Sequence, residues 1–411
     1  MRTLLLAIAV VVVLGLALVA GCTPKPSAKQ AETSPPTVRV RLLAGVDRAT
    51  LTLDAPPVLV SDNGSTRRKL ASAAGQAVVV SRAGDGWRIN SADVGAGGTL
   101  AIEPSEVGTV KVNGVAYRGT FRLVPTDDGK FDLVNDVDVE SYLMGVLARE
   151  LFPDWNPEAY KAQAAIARTY ALYEAANVPS GRHWDLFPDE RSQMYGGIKG
   201  ETPKAVAAVN ATRGEVVVYG PPGREKIFKT YFSSCCGGVS ADVADAFGEP
   251  NIPPLTAARR GPICAISSRY NWPAVTVSKA ELSRRLKLWA AKQGHPLAAA
   301  GDVRSIEVSG INSFGRPRGF VVTDANGKAY NLVGEQLRWA INTDAKPGTT
   351  VLSNYFRPTD AGESITFADG HGFGHGVGAC QWCMQAKALS GMPAERIATE
   401  AYPGALVVVA Y

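Results

Sequence analysis

The chain has 411 residues, of which 46% are hydrophobic, so it is long enough to bury a core and to form two or three domains. Its formal charge of +5 is small for this length, and its basic residues form no long run. These features exclude the electrostatic pattern of a nucleic-acid-binding protein. The sequence also has no Walker or Rossmann glycine motif and no obvious repeat of fixed period.

Residues 1–22 have the pattern of a lipoprotein signal peptide. Arg2 precedes an uncharged apolar stretch from Leu4 to Ala20, and the sequence VAGC then ends at Cys22. Small residues before a cysteine suit a signal peptidase that cleaves there, after which the cysteine carries several acyl chains and anchors the protein. A transmembrane helix and an ordinary cleaved signal are the alternatives, but the apolar run is short and ends at the cysteine. We therefore predict an extracytoplasmic protein that is anchored to a membrane through lipidated Cys22.

A tether and a β-rich module are predicted next. Residues 23–37 are rich in proline, serine and charge, which is typical of an extended flexible tether. Residues 38–126 alternate short β-branched runs with turn residues, and this spacing predicts an all-β module. Within it, Asn113-Gly114 is typical of a tight hairpin. Because no titratable cluster appears in this module, we interpret it as a scaffold.

Helical patterns begin at Asp138. This residue can cap a helix with the sequence VESYLMGVLARELF, which Pro153 would end. Asn156-Pro157 marks the start of a second helix, PEAYKAQAAIARTYALYEAAN. Short strands return from Glu215, and mixed segments continue to the end of the chain. The predicted fold class is therefore α+β, with the β-rich N-terminal module followed by a mixed α/β region over residues 127–411.

Glu150 lies on or beside the apolar stripe of the first predicted helix. It follows Val146 by four residues and Leu147 by three, which are helical spacings. Burial there disfavours the ionised carboxylate and raises its pKa, so a glutamate can hold a proton near neutral pH and act as a general acid. The alternative is an ion pair with Arg149, Arg168 or another cation. Periodicity alone leaves both interpretations open.

The segment HGFGHGVGACQWC, residues 371–383, combines histidines, cysteines and glycines. His371 and His375 are four residues apart, but the surrounding glycines argue against a helix and so against a zinc site built on both histidines. Outside the cytoplasmic membrane a disulfide is the first expectation for cysteines, while a zinc site and free thiols remain open. The odd number of cysteines after Cys22 leaves one thiol free or indicates a metal set. These cysteines are Cys235, Cys236, Cys264, Cys380 and Cys383.

Four segments, taken in chain order, resemble the sporulation protein D and amidase enhancer family (SpoIID/LytB). They are LMGVLARELFPDWNPEAYKAQAAIARTYAL, SQMYGG, YFSSCCGG and GHGVGACQW, and the resemblance covers about residues 100–410. It implies that residues 127–411 are a peptidoglycan-active domain with a cleft. In the sporulation branch it implies a lytic transglycosylase, which cleaves the β-1,4 bond after N-acetylmuramic acid and leaves a 1,6-anhydro end.

The resemblance also implies roles for individual residues. Glu150 matches the family's essential glutamate, and Arg168 matches an arginine of the catalytic site. A single carboxylate suffices, because the sugar's own 6-hydroxyl is the nucleophile: Glu150 protonates the leaving oxygen and then accepts the hydroxyl proton. The residues that the resemblance assigns to substrate binding are Gln193, Tyr195, Ser233, Ser234, His375, Gln381 and Trp382.

The resemblance leaves two functions and one cofactor question open. Some members of the family have cysteine and histidine before the Gln-x-Tyr segment that can hold zinc, whereas HWDLFPDERSQMYGG has His183 and no cysteine. We expect no cofactor, with zinc as the alternative. The LytB branch implies a rival function, in which a glycan-binding lipoprotein activates an N-acetylmuramoyl-L-alanine amidase. The expected partners are peptidoglycan glycan strands, the membrane and, for the rival, that amidase; no nucleic acid is expected.

Overall fold

The computed structural model describes residues 34–61, 66–70, 74–104 and 108–411. The predicted signal peptide with Cys22 and most of the tether lie outside these residues, so the lipid anchor stays a prediction. Among the described residues, no helix is both long and apolar enough to span a membrane. Residues 35–410 pack as a single unit.

Twelve strands of the described residues form two antiparallel sheets in the β-rich part. They are β1 (Thr37–Val46), β2 (Arg48–Leu53), β3 (Val58–Ser61), β4 (Arg67–Lys69), β5 (Ala77–Ala83), β6 (Gly86–Ile89), β7 (Ala92–Ala96), β8 (Leu100–Glu103), β9 (Val110–Val112), β10 (Val115–Tyr117), β11 (Thr120–Pro125) and β12 (Phe131–Asp138). The first sheet has the order β1-β12-β11-β8-β3-β4 and the second β10-β9-β2-β5-β6-β7. Trp87 of β6 meets Phe131 of β12 edge to face, with ring centroids 5.3 Å apart. The two sheets therefore share a core.

The hairpin predicted at Asn113-Gly114 is confirmed. Val112 pairs with Val115 in an antiparallel register, and the two turn residues have φ angles of 49° and 81°. Two positive φ angles suit asparagine followed by glycine in a tight hairpin turn. The predicted domain boundary at residue 126 falls between β11 and β12, which are hydrogen-bonded neighbours in one sheet.

The remaining elements of the described chain include eight α-helices and thirteen strands. The helices are α1 (Val139–Glu150), α2 (Pro157–Ala176), α3 (Pro203–Ala211), α4 (Val243–Phe247), α5 (Lys279–Gln293), α6 (Gly334–Asn342), α7 (Gln381–Leu389) and α8 (Ala394–Ala401). The strands are β13 (Glu215–Tyr219), β14 (Lys226–Ile227), β15 (Phe232–Ser233), β16 (Asn271–Trp272), β17 (Val275–Ser278), β18 (Val303–Ile311), β19 (Pro317–Asp324), β20 (Ala329–Val333), β21 (Arg357–Asp360), β22 (Ser364–Ala368), β23 (Gly370–His371), β24 (Ala379–Cys380) and β25 (Leu406–Val409). The predicted α+β class, with a β-rich N-terminal region, is confirmed.

Both predicted helix starts are confirmed by their capping hydrogen bonds. Asp138 accepts a hydrogen bond from the backbone N–H of Ser141 at 3.0 Å, and α1 follows. Asn156 accepts one from the N–H of Glu158 at 2.9 Å, with Pro157 in the first turn of α2. These side chains satisfy amide groups that a helix start leaves without partners.

Two short strand pairs bring distant segments together. β15 pairs in parallel with β24, so that Ser233 lies opposite Cys380. β16 pairs with β23, so that Asn271 lies opposite His371. The first pairing places the segments YFSSCC and GACQWC side by side, although they are far apart in the sequence.

Arg168 joins α2 to α1 through a buried ion pair. Its guanidinium donates two hydrogen bonds to the carboxylate of Glu140, at 3.0 and 2.7 Å, and a third to the carbonyl oxygen of Glu215 at 2.9 Å. Both charged side chains are buried. The structure therefore gives Arg168 a partner other than Glu150 and places it inside the protein, where it connects α1, α2 and β13.

Breaking this ion pair should destabilise the fold. Arg168→Met and Glu140→Gln each leave a buried charge without its partner, so each should lower the free energy of unfolding by about 3–5 kcal/mol. The double variant should recover much of the loss, because no unpaired charge remains. Urea denaturation of the three variants measures this. A single variant that loses less than about 1 kcal/mol would show that the pair is not needed for stability.

Candidate functional site

Glu150 is the last residue of α1, and groups from two other segments contact it. The backbone N–H of Met194 donates to Glu150 Oε1 at 2.8 Å. The side-chain amide nitrogen of Gln381, in the first turn of α7, lies 3.3 Å from the carbonyl oxygen of Glu150 and 3.4 Å from Oε2. The carboxylate itself is partly buried. The site therefore assembles at the point where α1, α7 and the segment around Met194 meet.

Gly145 allows the segment around Met194 to approach α1. The N–H of Gly196 donates to the carbonyl oxygen of Gly145 at 2.9 Å. A Cβ atom at position 145 would lie 2.8 Å from a ring carbon of Tyr195, which is closer than packed carbon atoms come. The absence of a side chain at this position therefore helps to place the Met194 amide at the carboxylate.

The pKa of Glu150 is raised, which agrees with one of the two interpretations that the sequence left open. Burial of the carboxyl group is the main cause, and the hydrogen bonds from Met194 and Gln381 lower the pKa in part. The alternative of an ion pair is not realised: among the described residues no cation pairs with Glu150, and Arg168 pairs with Glu140. The site therefore contains a carboxyl group that can carry a proton at higher pH than an exposed glutamate does.

An aromatic cluster of Phe152, Trp155 and Trp382 borders Glu150. The ring centroids of Trp155 and Trp382 are 4.9 Å apart, and Phe152 lies 5.6 and 5.8 Å from these two rings. Trp155 is buried, Trp382 is partly exposed, and Phe152 is 54% exposed. An exposed aromatic surface beside a carboxyl group suits the apolar faces of sugar rings.

Backbone contacts hold Trp382 in this position. Its N–H donates to the carbonyl oxygen of Ser234 at 3.1 Å, and Ser234 is partly exposed. Ser233 is buried, and its hydroxyl accepts a hydrogen bond from the N–H of Gly376 at 3.1 Å. The structure therefore brings Ser234, Gln381 and Trp382 to the Glu150 site, whereas Ser233 supports the loop behind it.

Gln193 and Tyr195 lie in the interior of the protein. The hydroxyl of Tyr142 donates to Gln193 Oε1 at 3.1 Å, and the hydroxyl of Tyr195 donates to Asn135 Oδ1 at 3.1 Å. Both side chains are buried, so neither has a surface with which to contact a substrate. Met194 lies between them, and its backbone N–H donates the hydrogen bond to the Glu150 carboxylate.

The residues that sequence reasoning missed are Met194, Phe152 and Trp155. Met194 acts through its backbone, and a backbone amide leaves no signal in residue type. Phe152 and Trp155 follow Glu150 directly in the segment ELFPDWN. Two aromatic residues in a short loop after a candidate acid were a signal that could have identified them.

His375 is held by the backbone through both ring nitrogens. Nε2 lies 2.7 Å from the carbonyl oxygen of Phe232 and therefore donates, while Nδ1 accepts from the N–H of Val377 at 3.0 Å. This pattern fits the neutral imidazole. Burial lowers the pKa of His375 to about 4. His375 thus organises the glycine-rich loop as a neutral residue, and its ring nitrogens are not available to a ligand.

The five cysteines of the described chain are all buried, and none forms a disulfide in this structure. Four of them place their Sγ atoms within 4.8 Å of one another. These are Cys236, Cys264, Cys380 and Cys383. Cys235 is buried in the same cluster but is not one of the four.

Part of the chain that forms this site is similar to a known protein family. Residues 127–219 match the family model for SpoIID, described as Stage II sporulation protein. The chain is 27% identical over 285 residues to the Stage II sporulation protein D of Bacillus subtilis, covering 66% of this chain and 74% of that protein. Residues 127–219 of this chain are therefore similar to the SpoIID domain. The resemblance to the SpoIID/LytB family is thereby confirmed.

Two other relatives align over about 70% of this chain. The Amidase enhancer of Bacillus subtilis is 24% identical over 344 residues, which are 75% of this chain and 46% of that protein. An uncharacterized protein of Brachyspira hyodysenteriae is 28% identical over 295 residues, or 69% of this chain and 73% of that one. The range matched to the SpoIID model contains Glu150 and Met194, whereas Gln381 and Trp382 lie beyond it.

The neutral state of His375 should make the stability of the protein depend on pH. Above pH 6.5 the residue is neutral in both states. Between about pH 6.5 and 4 the unfolded chain binds a proton that the folded protein does not, so stability falls as the pH falls, by up to about 3 kcal/mol.

Denaturation at pH 7 and pH 4.5 of the wild type and of His375→Gln tests this. The variant should lose less stability between the two pH values than the wild type does. Each protein is compared with itself at the two pH values. A loss of stability in the variant that is the same at both pH values therefore does not affect the result. Equal losses would indicate that His375 binds a proton in the folded protein over the same pH range as in the unfolded chain.

Proposed function

We propose that this protein is a peptidoglycan lytic transglycosylase in which Glu150 is the catalytic acid and base. The observation that carries the proposal is the carboxyl group of Glu150, which is partly buried, has a raised pKa and has no cationic partner among the described residues. Phe152, two residues further along the chain, has an exposed aromatic ring. A general acid needs its proton at working pH, and this environment favours the protonated form.

The proposed reaction uses one carboxyl group for two proton transfers. Protonated Glu150 gives its proton to the glycosidic oxygen as the bond from that oxygen to C1 of N-acetylmuramic acid breaks. The 6-hydroxyl of the same sugar then bonds to C1, and the Glu150 carboxylate takes the hydroxyl proton. The products are a 1,6-anhydro end and a free 4-hydroxyl, and Glu150 is protonated again. No water is consumed.

The groups around Glu150 suit both stages of this reaction. The Met194 N–H and the Gln381 amide stabilise the carboxylate that exists after the first proton transfer. The surface formed by Phe152 and Trp382 offers apolar faces on which sugar rings can stack. We place the glycan strand across this surface, with the scissile bond at Glu150.

The similarity to the Amidase enhancer supports a second candidate function. In this alternative the lipid-anchored protein binds glycan strands outside the cytoplasmic membrane and activates a cell-wall amidase, with Glu150 as a structural carboxyl group. The raised pKa of Glu150 favours the enzyme, because a partly buried carboxyl group without a cationic partner among the described residues is typical of a catalytic acid.

Glu150→Gln should abolish most of the activity and leave the fold intact. The full chain, purified in detergent, should release products with 1,6-anhydro-N-acetylmuramic acid ends from glycan strands, and the variant should be slower by a factor of about 10² to 10⁴. Mass spectrometry of the released fragments measures this. Glu307→Gln is the matched control, since Glu307 is exposed on β18, and its rate should equal that of the wild type.

Two further measurements decide between the candidates. Glu150→Gln should be at least as stable as the wild type at neutral pH, because it removes a carboxylate that burial disfavours. It should also bind glycan as the wild type does. If the wild type yields no anhydro product and instead accelerates an amidase equally well with Glu150→Gln, the enzyme proposal fails and the activator is supported.

Phe152→Ala should weaken glycan binding without a loss of stability. Loss of one stacked ring corresponds to about 1.4 kcal/mol, or about tenfold in the dissociation constant. Leu389→Ala is the control, because Leu389 is 64% exposed on α7, similar to the 54% exposure of Phe152. Titration of glycan fragments against both variants measures the difference. Equal affinities would place the glycan strand elsewhere.

A further inference from the structure

We propose that Cys236, Cys264, Cys380 and Cys383 bind one zinc ion, and that this zinc site holds the start of α7 in place. The proposal is independent of the reaction assigned to Glu150. It concerns a cluster that lies behind the candidate site and that the proposed reaction does not use.

The four cysteines come from three separate segments. Cys236 follows β15, Cys264 lies in the short helical turn Gly261–Ile266, and Cys380 and Cys383 flank the start of α7. The Sγ atom of Cys236 lies 3.6 Å from that of Cys264 and 3.9 Å from that of Cys383. In a tetrahedral site with zinc–sulfur distances of about 2.3 Å, neighbouring sulfurs are about 3.8 Å apart. The observed separations match this spacing.

The chemistry of the cluster suits zinc. All four candidate ligands are sulfur atoms in a buried position, and a tetrahedral set of four thiolates is typical of structural zinc. The sulfur of Cys380 also accepts backbone hydrogen bonds from Cys236 and Cys383, at 3.3 and 3.4 Å. Amide donors aimed at a sulfur favour the thiolate and orient it toward a metal.

A buried cation next to the cluster supports a net negative charge there. Arg316 is 1% exposed, and its guanidinium donates to the carbonyl oxygens of Cys236 at 3.2 Å and Val239 at 2.7 Å. Its other described hydrogen bonds go to the neutral oxygens of Asn354 and His375. Burial of a cation is costly unless an anion lies near. Two carboxylates also attract Arg316, and zinc with four thiolates, which carries a charge of −2, would add to this compensation of its charge.

Cys235 provides an internal control. It is buried beside the four ligands, and its backbone exchanges hydrogen bonds with Phe373. Its sulfur does not belong to the group of four. A four-ligand site therefore accounts for the odd number of cysteines after Cys22, with Cys235 as the remaining thiol.

The location of the site connects it to the Glu150 region. Gln381 and Trp382 are the two residues between the ligands Cys380 and Cys383. A metal that fixes these two cysteines would also fix the first turn of α7, from which Gln381 reaches Glu150. Metal ligation on both sides of a short segment limits its freedom to move.

Metal analysis of the full chain tests the proposal. The protein, purified in detergent without chelator, should contain one zinc ion per chain by mass spectrometry of the metal. Cys236→Ser and Cys264→Ser should each reduce the zinc content to near zero, whereas Cys235→Ala should keep one zinc. Wild-type protein loaded with Co²⁺ should show the absorption of a tetrahedral cobalt thiolate, a readout that does not depend on whether the variants fold.

Several results would overturn the proposal. These are a metal-free wild type, whether its five cysteines are reduced or form disulfides, bound iron in place of zinc, a Co²⁺ spectrum without thiolate ligation, and loss of zinc in Cys235→Ala. None of these results depends on the release of anhydro products. A failure of the zinc site and a failure of the proposed reaction are therefore distinguishable.

Discussion

The contact between the end of α1 and the start of α7 is the constraint on which the candidate site depends. Gln381 reaches both the carbonyl oxygen and the carboxylate of Glu150, and the Met194 amide binds the same carboxylate from a third segment. A carboxyl group at a helix end would otherwise turn toward water. These contacts keep it partly buried and in one orientation, which is what the proposed proton transfer to a bound sugar requires.

This placement has a cost in stability, which the surrounding structure offsets. Burial raises the pKa of Glu150, so the ionised form is less favourable in the folded protein than in the unfolded chain. The helix that carries it is held by the bidentate ion pair between Glu140 and Arg168 and by the close contact at Gly145. Strained or unfavourable groups at functional sites are usually supported in this way by a rigid surrounding structure.

Several residues of the family motifs act as supports and do not line the surface around Glu150. His375 uses both ring nitrogens for backbone contacts, and Gln193 and Tyr195 hydrogen-bond inside the protein. Their effect on the site is indirect: His375 shapes the glycine-rich loop, and the segment of Gln193 and Tyr195 presents the amide of Met194. A motif can therefore mark a functional region even where its most distinctive side chains do not contact a ligand.

The sequence by itself determined the local features. The caps at Asp138 and Asn156 and the hairpin at Asn113-Gly114 follow from patterns within a few residues, because such structure depends on backbone geometry and on turn residues. Only the tertiary structure decided the long-range partners. The choice of Glu140 for Arg168, and the convergence of cysteines that are 28 to 147 positions apart, depend on how strands and helices pack. Periodicity indicates which face of an element is buried, but it carries no information on which distant segment covers that face.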